Sequence, residues 1–481
     1  MPSVSPVLAL DLGTTGVRAV LFDEAGRNLG QKAGQVYRPL GCSFPAPDRV
    51  EQDPLEFRDA SIAVMVEALN RAGIGASELR GVGIVCQRGT AIAWDRRSGQ
   101  PLAPAIGWQD RRTLARVDEL RAMGIPLNTL AACSKFEWLL TQPAVRAAAD
   151  AGTLCMGTPD SWLSWTLSGG EAFVTDPSNA GATGLIDNST LDWLDPALEL
   201  FGQQRDWHAR IKATDAVVGT LDPALLGAAV PLAARAGDQQ AACFAQGVSV
   251  PGAAKLTLGT SAMLDRSTGS TPAEPPTGAY ALPLWRREES GDAFCLEGTV
   301  ITAGASIEWL LRTGLLAAAD QLDATARAGR AGIRFVPALA GLGTPHMADR
   351  ARGRFDGIGM DTTPADLVRG VVDGIAQRVV DLLESLEVGD RFGVDGGLGR
   401  SDVLLQRIAD LSGRDVLRAA ELETTARGAA ALAAASPGTA GGALPAPEAG
   451  QLFGPRMHAA ERDDARGRWR AAVHELLAAA S

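Results

Sequence analysis

The segment Ala236-Gly237-Asp238-Gln239-Gln240 places one acid and two amides behind a glycine, near the midpoint of a 481-residue chain. A carboxylate so placed can take the proton of a hydroxyl that attacks phosphorus. Asp238 is the candidate general base. The same residue would serve equally well as the cap of a helix beginning near Gln239. Far upstream lies Asp11-Leu12-Gly13-Thr14-Thr15-Gly16, with bare glycines and two threonine hydroxyls. Glycines let the backbone approach a phosphate, whose oxygens the exposed N–H groups bind. Asp11, at a strand end, can hold magnesium directly or through water. No Gly-Lys-Ser/Thr follows, so the turn is not a P-loop. Downstream, Leu258-Gly259-Thr260-Ser261 repeats the device. Two such turns, one in each half, could clamp a triphosphate, although Gly-Thr between strands is also a common hairpin. An acid between two phosphate turns is what phosphoryl transfer to a hydroxyl requires. The chain is expected to act as a kinase on a small polyol or sugar.

Three further features fit that chemistry. Gly396-Gly397-Leu398-Gly399 follows a strand-like run and precedes a helical one, the place where a helix N-terminus meets a nucleotide phosphate. It could equally be a tight connection with no ligand. Arg88 and Trp108 each follow a strand-like segment. An arginine can donate paired hydrogen bonds to vicinal hydroxyls, and a tryptophan can wall a carbon chain. A surface arginine and a core tryptophan are the blander account.

The elements that must position these residues alternate. Val7–Leu10, Val17–Phe22, Gly83–Cys86 and Thr90–Trp94 read as strands, and Asp59–Leu69 has helical spacing with Ile62, Val66 and Leu69 on one side. After residue 246 the pattern restarts with Ala254–Leu258 and Ser261–Leu264 as strands around a Gly-Thr turn. Helices are expected at Ala305–Leu311, Pro364–Leu383 and from about Asp402, with a strand at Phe392–Asp395. Residues 436–450, rich in Pro, Gly and Ala, read as a loop, and an amphipathic surface helix is expected from about Ala459. The fold class is α/β. The length suggests two domains, 1–246 and 247–481.

The bulk properties exclude other classes. A net charge of −11 and short arginine runs (Arg96-Arg97, Arg111-Arg112) speak against nucleic acid as partner. There is no long apolar run, so no membrane span is expected. The N-terminus lacks a basic segment followed by an apolar one, so a cytoplasmic protein is expected. Six cysteines without a CxxC pair and four histidines without metal spacing favour reduced thiols and an oxygen-bound metal.

Taken in order, these pieces resemble the FGGY carbohydrate kinase family, and within it the glycerol kinase branch. The resemblance covers about residues 6–435. It runs through Asp11–Thr15, Val50–Pro54, Ile106–Arg112, Lys135–Leu140, Val174–Asp176, Thr190–Trp193, Gly237–Gln240, Leu296–Thr299, Gly341–Pro345, Val394–Gly397 and the stretch 423–430. It implies two actin-like (ribonuclease-H-like) domains with ATP and Mg2+ in a cleft between them. It implies that Asp11, Thr14, Thr15 and Arg18 serve the phosphate and metal end, that Asp238 is the base, and that Thr260 approaches the γ-phosphate. It places Gly304, Gly397 and Ser401 at the nucleotide, and Arg88, Trp108, Asp238 and Gln239 in the polyol pocket. A homo-oligomer, dimer or tetramer, is the family's expectation.

The departures bear on the substrate. Glycerol kinases carry Arg-Glu where this chain has Arg88-Gly89, a Tyr near Leu130 and a Phe at Met263. They also tend to carry Gln at Glu308 and Asn at Ser401. A pocket that loses partners for a hydroxyl loses discrimination for it. Glycerol, a longer polyol, or a ketose such as xylulose or ribulose are therefore alternative acceptors. A non-catalytic actin-like module that senses nucleotide or sugar is the reading from another class. Asp238, Arg88 and Trp108 together speak against it, since a pure switch needs no polyol pocket.

Overall fold

The computed structural model describes residues 5–29, 35–422, 424–439, 442–446 and 450–480. The chain divides into two units. Unit 1 comprises Met1–Ala245, Leu282–Ala293 and Thr425–Ala446; unit 2 comprises Gln246–Ala281, Phe294–Thr424 and Pro447–Ser481. The expected domains followed chain order alone, whereas two later segments here return to unit 1.

Unit 1 is built on five strands: β1 (Val7–Leu12), β2 (Gly16–Phe22), β3 (Gln35–Pro39), β4 (Gly81–Cys86) and β5 (Leu232–Gly237), in the order β5-β4-β1-β2-β3. β1 runs antiparallel to β2 and parallel to β4, and β5 runs parallel to β4. The run Val-Leu-Ala-Leu of β1 is buried throughout, as expected of a strand covered on both faces. One cover is helix α1 (Pro54–Ala72). Asp53 starts it by accepting from the Leu55 N–H at 2.9 Å, and Gly73, at φ +67°, stops it. The other cover is the alanine-rich helix Thr424–Ala434, whose Ala426, Ala429 and Ala430 join Val7, Ala9 and Val85 in one apolar cluster. Small residues let it lie close: a Cβ on Gly428 would sit 1.9 Å from the Ala241 carbonyl oxygen. A second apolar cluster, with Ile106, Phe136, Met156 and Trp193, carries helix α2 (Cys133–Leu139).

Unit 2 opens with the same arrangement. β6 (Ala254–Leu258) and β7 (Ala262–Gly269) form a hairpin, followed, after β8 (Tyr280–Arg287), most of which is counted with unit 1, by β9 (Gly291–Val300), β10 (Arg391–Asp395), β11 (Asp415–Arg418) and β12 (Gln451–Phe453). Within unit 2 the order is β9-β7-β6-β10-β11-β12, with β6 parallel to β10. Its core packs the sheet against the helices Gly304–Arg312, Pro364–Ser385 and Asp402–Ser412. The last helix, Ala459–Ala480, was expected to lie on the surface. One face instead enters unit 2, with Trp469 and Val473 buried and the Arg466 guanidinium 2.8 Å from both Asp381 and Glu384. No helix among the described residues is long and apolar enough to cross a membrane.

Candidate active site

The parallel strands of unit 1 bring its polar residues to one sheet edge. Leu12 of β1 and Gly237 of β5 both register with Cys86 of β4. Asp11, Arg88 and Asp238 therefore leave adjacent strands at their carboxyl ends, where open α/β sheets bind ligands. Asp238 is the first residue of helix α3 (Asp238–Ala245). Its Oδ1 accepts from the Gln239 N–H at 2.8 Å and lies 3.6 Å from Arg88 Nε. The Asp238 side chain keeps 32% of its surface exposed against 11% for Arg88. An acid so held is oriented yet open to a ligand. Gln239 is half-buried beside it.

The glycine before this acid leaves room for the Arg88 side chain. A Cβ on Gly237 would lie 2.6 Å from both Arg88 Cδ and Gln240 Oε1. The Gly237 N–H donates to Ser178 Oγ at 2.8 Å, and Ser178 donates on to the buried Asp176 carboxylate. Thr214 Oγ1 donates to Asp176 as well, at 2.9 Å. Burial pushes the Asp176 carboxyl up, and pushes its neighbour Asp160 up to about 6. This support for Asp238 was missed in the sequence. Its only signal was the motif Val174-Thr175-Asp176, which reports no partner.

The first turn is closed by the Gly13 N–H donating to the Gly16 carbonyl at 2.9 Å. Arg18 registers opposite Asp11, with Nε 3.7 Å from Oδ2. Thr15 is exposed, and its carbonyl accepts from Tyr37 Oη at 2.9 Å. Trp108 Nε1 donates to Thr14 Oγ1 at 2.8 Å, and Gln52 Nε2 donates to the Thr14 carbonyl at 3.0 Å. Trp108 and the Gly13–Gly16 turn are thus one bonded assembly, which sequence spacing does not reveal.

Unit 2 pins its turn differently. The N–H groups of Ala303 and Ala305 donate to the Thr260 carbonyl, at 3.1 and 2.9 Å, and that of Gly304 to the Gly259 carbonyl at 3.0 Å. A Cβ on Gly304 would lie 2.5 Å from the Gly259 oxygen, so glycine is needed there. Thr260 remains exposed. Gly397 is exposed, with no atom within 4 Å of its Cβ position. Ser401 is buried; it caps the helix Asp402–Ser412 by accepting from the Leu404 N–H at 3.1 Å and donates to Asp323. Its hydroxyl is therefore engaged within unit 2.

Two departures acquire a physical reason. Gly89 has φ +70°, and a Cβ there would lie 2.2 Å from the Leu130 carbonyl oxygen. No longer side chain fits that backbone, so Gly89 leaves no empty space: the Leu130 main chain fills it. Met263 sits on β7, its sulfur 3.1 Å from Thr299 Oγ1. Among the described residues no group of three or more His, Cys, Asp or Glu is arranged to hold a metal.

Comparison with known proteins decides the family. The FGGY carbohydrate kinase N-terminal domain matches residues 6–245, and the C-terminal domain residues 254–436. The chain belongs to the FGGY family of carbohydrate kinases. It is 36% identical to a glycerol kinase of Citrifermentans bemidjiense, with 98% of each chain covered. It is 38% identical to a glycerol kinase of Alkalilimnicola ehrlichii, with 97% of each covered. The crystal structure of Plasmodium falciparum glycerol kinase with ADP superposes with a TM-score of 0.88 over 98% of each chain at 24% identity. The fold is the two-domain actin-like fold of these kinases. Membership makes the chain a phosphotransferase with an alcohol acceptor, and implies ATP as its donor.

Proposed function

We propose that this FGGY kinase phosphorylates a terminal hydroxyl of a small polyol of the glycerol class. The observation that carries the reading is the Arg88–Asp238 pair at neighbouring strand ends, 3.6 Å apart and partly open. The acceptor hydroxyl gives its proton to Asp238 as its oxygen bonds to the γ-phosphorus. The bond from that phosphorus to the bridging oxygen breaks, and ADP leaves. Arg88 donates to vicinal hydroxyls, Trp108 lies along the carbon chain, and the Gln239 amide completes the acceptor end. Thr14, Thr15 and Arg18 serve the phosphates from unit 1. Thr260, Gly304, Gly397 and the Ser401 turn serve the nucleotide from unit 2.

Asp11 would hold Mg2+. That ion keeps several waters and needs only one or two carboxylates beside the substrate phosphates, so a lone carboxylate suits it. When bound, it neutralises charge on the phosphates. A cytoplasmic location and a dimer or tetramer belong to the same reading; cell fractionation and sedimentation check them.

The second reading is a longer polyol or a ketose. Gly89 favours it, because no carboxylate follows Arg88 to take hydrogen bonds from glycerol. Coupled ADP release across C3 to C7 polyols and ketoses, with product masses, separates the two. Highest kcat/KM on a C3 polyol supports the first reading, and highest kcat/KM on a ketose supports the second. No stimulation by any compound would return weight to a nucleotide or sugar sensor.

A further inference from the structure

Lys135, on α2, is fully buried. Its ammonium reaches three backbone carbonyls: Gly89 at 2.8 Å, Trp108 at 3.3 Å and Leu130 at 3.3 Å. An ammonium has three N–H donors and no acceptor, so each donor has one carbonyl. The three oxygens belong to three separate loops. One follows β4 and carries Arg88; one carries Trp108; one precedes α2 and carries Leu130. A buried cation is costly unless hydrogen-bonded, and a methionine of similar length would fill the same space but leave the three carbonyls without their donor. Retaining a lysine there fits a need to fix the three loops against one another. The fit is close, since the Leu130 oxygen occupies the space a Gly89 side chain would need.

We infer that Lys135 is a positioning residue for the acceptor: by caging the Gly89, Trp108 and Leu130 carbonyls it sets the spacing between Arg88, the Trp108 ring and the Leu130 loop. This rests on the reading of Arg88 and Trp108 as acceptor-binding. Lys135 does not touch the acceptor itself.

The charges facing the cage are few. Asp110 is buried and engaged by Arg112 at 2.8 Å. Asp110 favours the ammonium and Arg112 opposes it. The Cys133 thiol, pushed up to about 12 by burial, stays neutral. Arg88 is turned to Asp238. Burial is the largest influence and pulls Lys135 down to about 7. Above that pH the amine keeps two N–H donors for three carbonyls, and the cage loosens. Stability moves the other way. The folded state binds the proton less tightly than the unfolded chain, so stability rises with pH between the folded value and the ordinary lysine value. Polyol KM and stability should therefore rise together with pH. A merely structural lysine would not make affinity fall while stability climbs.

The test is steady-state kinetics of the whole chain, on whichever panel polyol or ketose it turns over best, from about pH 6 to about pH 9. For the native enzyme the acceptor KM rises severalfold across that range while the ATP KM follows a different course. Lys135→Met raises the acceptor KM about tenfold, the worth of lost bonds to a charged group. It leaves kcat and the ATP KM within about threefold and removes the pH trend in acceptor KM. A folded Lys135→Met enzyme with native acceptor KM would overturn the inference. If that variant does not fold, a flat acceptor KM in the native enzyme overturns it. Turnover of no compound in the panel contradicts the proposed function instead, and the inference falls with it.

Discussion

Units 1 and 2 start from one device and finish it in opposite ways. Each has a hairpin with a glycine-threonine turn and a parallel strand beside it. In unit 1 the acid beyond the strand ends, Asp238, keeps a third of its side chain open. In unit 2 the acid at the end of β10, Asp395, is buried. It accepts from Thr257 at 2.6 Å, Gln246 at 2.7 Å and also Thr424. A buried carboxylate that accepts from three donors is fixed in place and holds its loop. Asp238 follows β5, two strands out from its hairpin, and is left partly open, whereas Asp395 ends β10, directly beside its hairpin, and is buried. The difference lies in the strand that carries each acid and in the donors around it.

The largest expected effect tests the scaffold under Asp238. Gly428→Val would drive a side chain into the Ala241 carbonyl at the base of α3, where backbone cannot yield. Overpacking of this kind costs about 3 kcal/mol. Denaturant unfolding should show that loss, together with lost turnover. Next, Asp395→Ala should cost about 2 kcal/mol by stranding three donors, the buried Thr424 and the half-buried Gln246 and Thr257. Calorimetry measures it, and kcat per folded molecule at saturating ATP should hardly change. A large fall in kcat without lost stability would break the contrast between the two acids.

A smaller effect concerns His208, whose buried ring lies 5.5 Å from Phe136 and 4.8 Å from Trp193. Burial pulls it down to about 3 from 6.5. Its folded form is neutral, so its contribution is full above the ordinary value and is lost as pH falls below it. His208→Phe should lose about 1 kcal/mol less than the native chain between about pH 7 and about pH 5.5. Thermal unfolding at the two pH values reads this. Asp160 and Asp176, raised by burial, work in the opposite sense but are common to both proteins. The smallest effect is the Trp108–Thr14 bond. A double-mutant cycle of Trp108→Phe and Thr14→Val, read in kcat/KM, should give a coupling of about 1 kcal/mol. No coupling would separate the acceptor wall from the phosphate turn.

Much of this was readable from sequence because it is local. Gly83–Cys86 lies within β4, the Asp59–Leu69 run within α1, and the Phe392–Asp395 run within β10, although the face that α1 buries is Phe57, Val64, Met65, Ala68 and Leu69, with Val66 exposed rather than part of the expected stripe. Each is set by a periodicity and a turn signal that a short window contains. What escaped was set by distant partners. Nothing near Trp108 announces Thr14, and nothing near Gly237 announces Ser178 and Asp176. The buried face of Ala459–Ala480 depends on Asp381 and Glu384 elsewhere in unit 2, and its own polar residues read as a surface pattern. Gly89 read as a lost carboxylate because its left-handed backbone and the Leu130 oxygen are invisible in one dimension. Glu423, part of the last family motif, lies outside the described residues.

The most direct test of the central claim, that Asp238 rather than any other acid takes the acceptor proton, is substrate-stimulated ADP release by Asp238→Asn. ATP affinity is measured alongside it by titration calorimetry. A positioned general base is worth roughly 10²–10⁴-fold in rate. The account predicts a loss of that size in kcat with ATP affinity unchanged, because asparagine preserves the shape beside Arg88 and cannot take the proton. Turnover at the native rate with Asp238→Asn would contradict it.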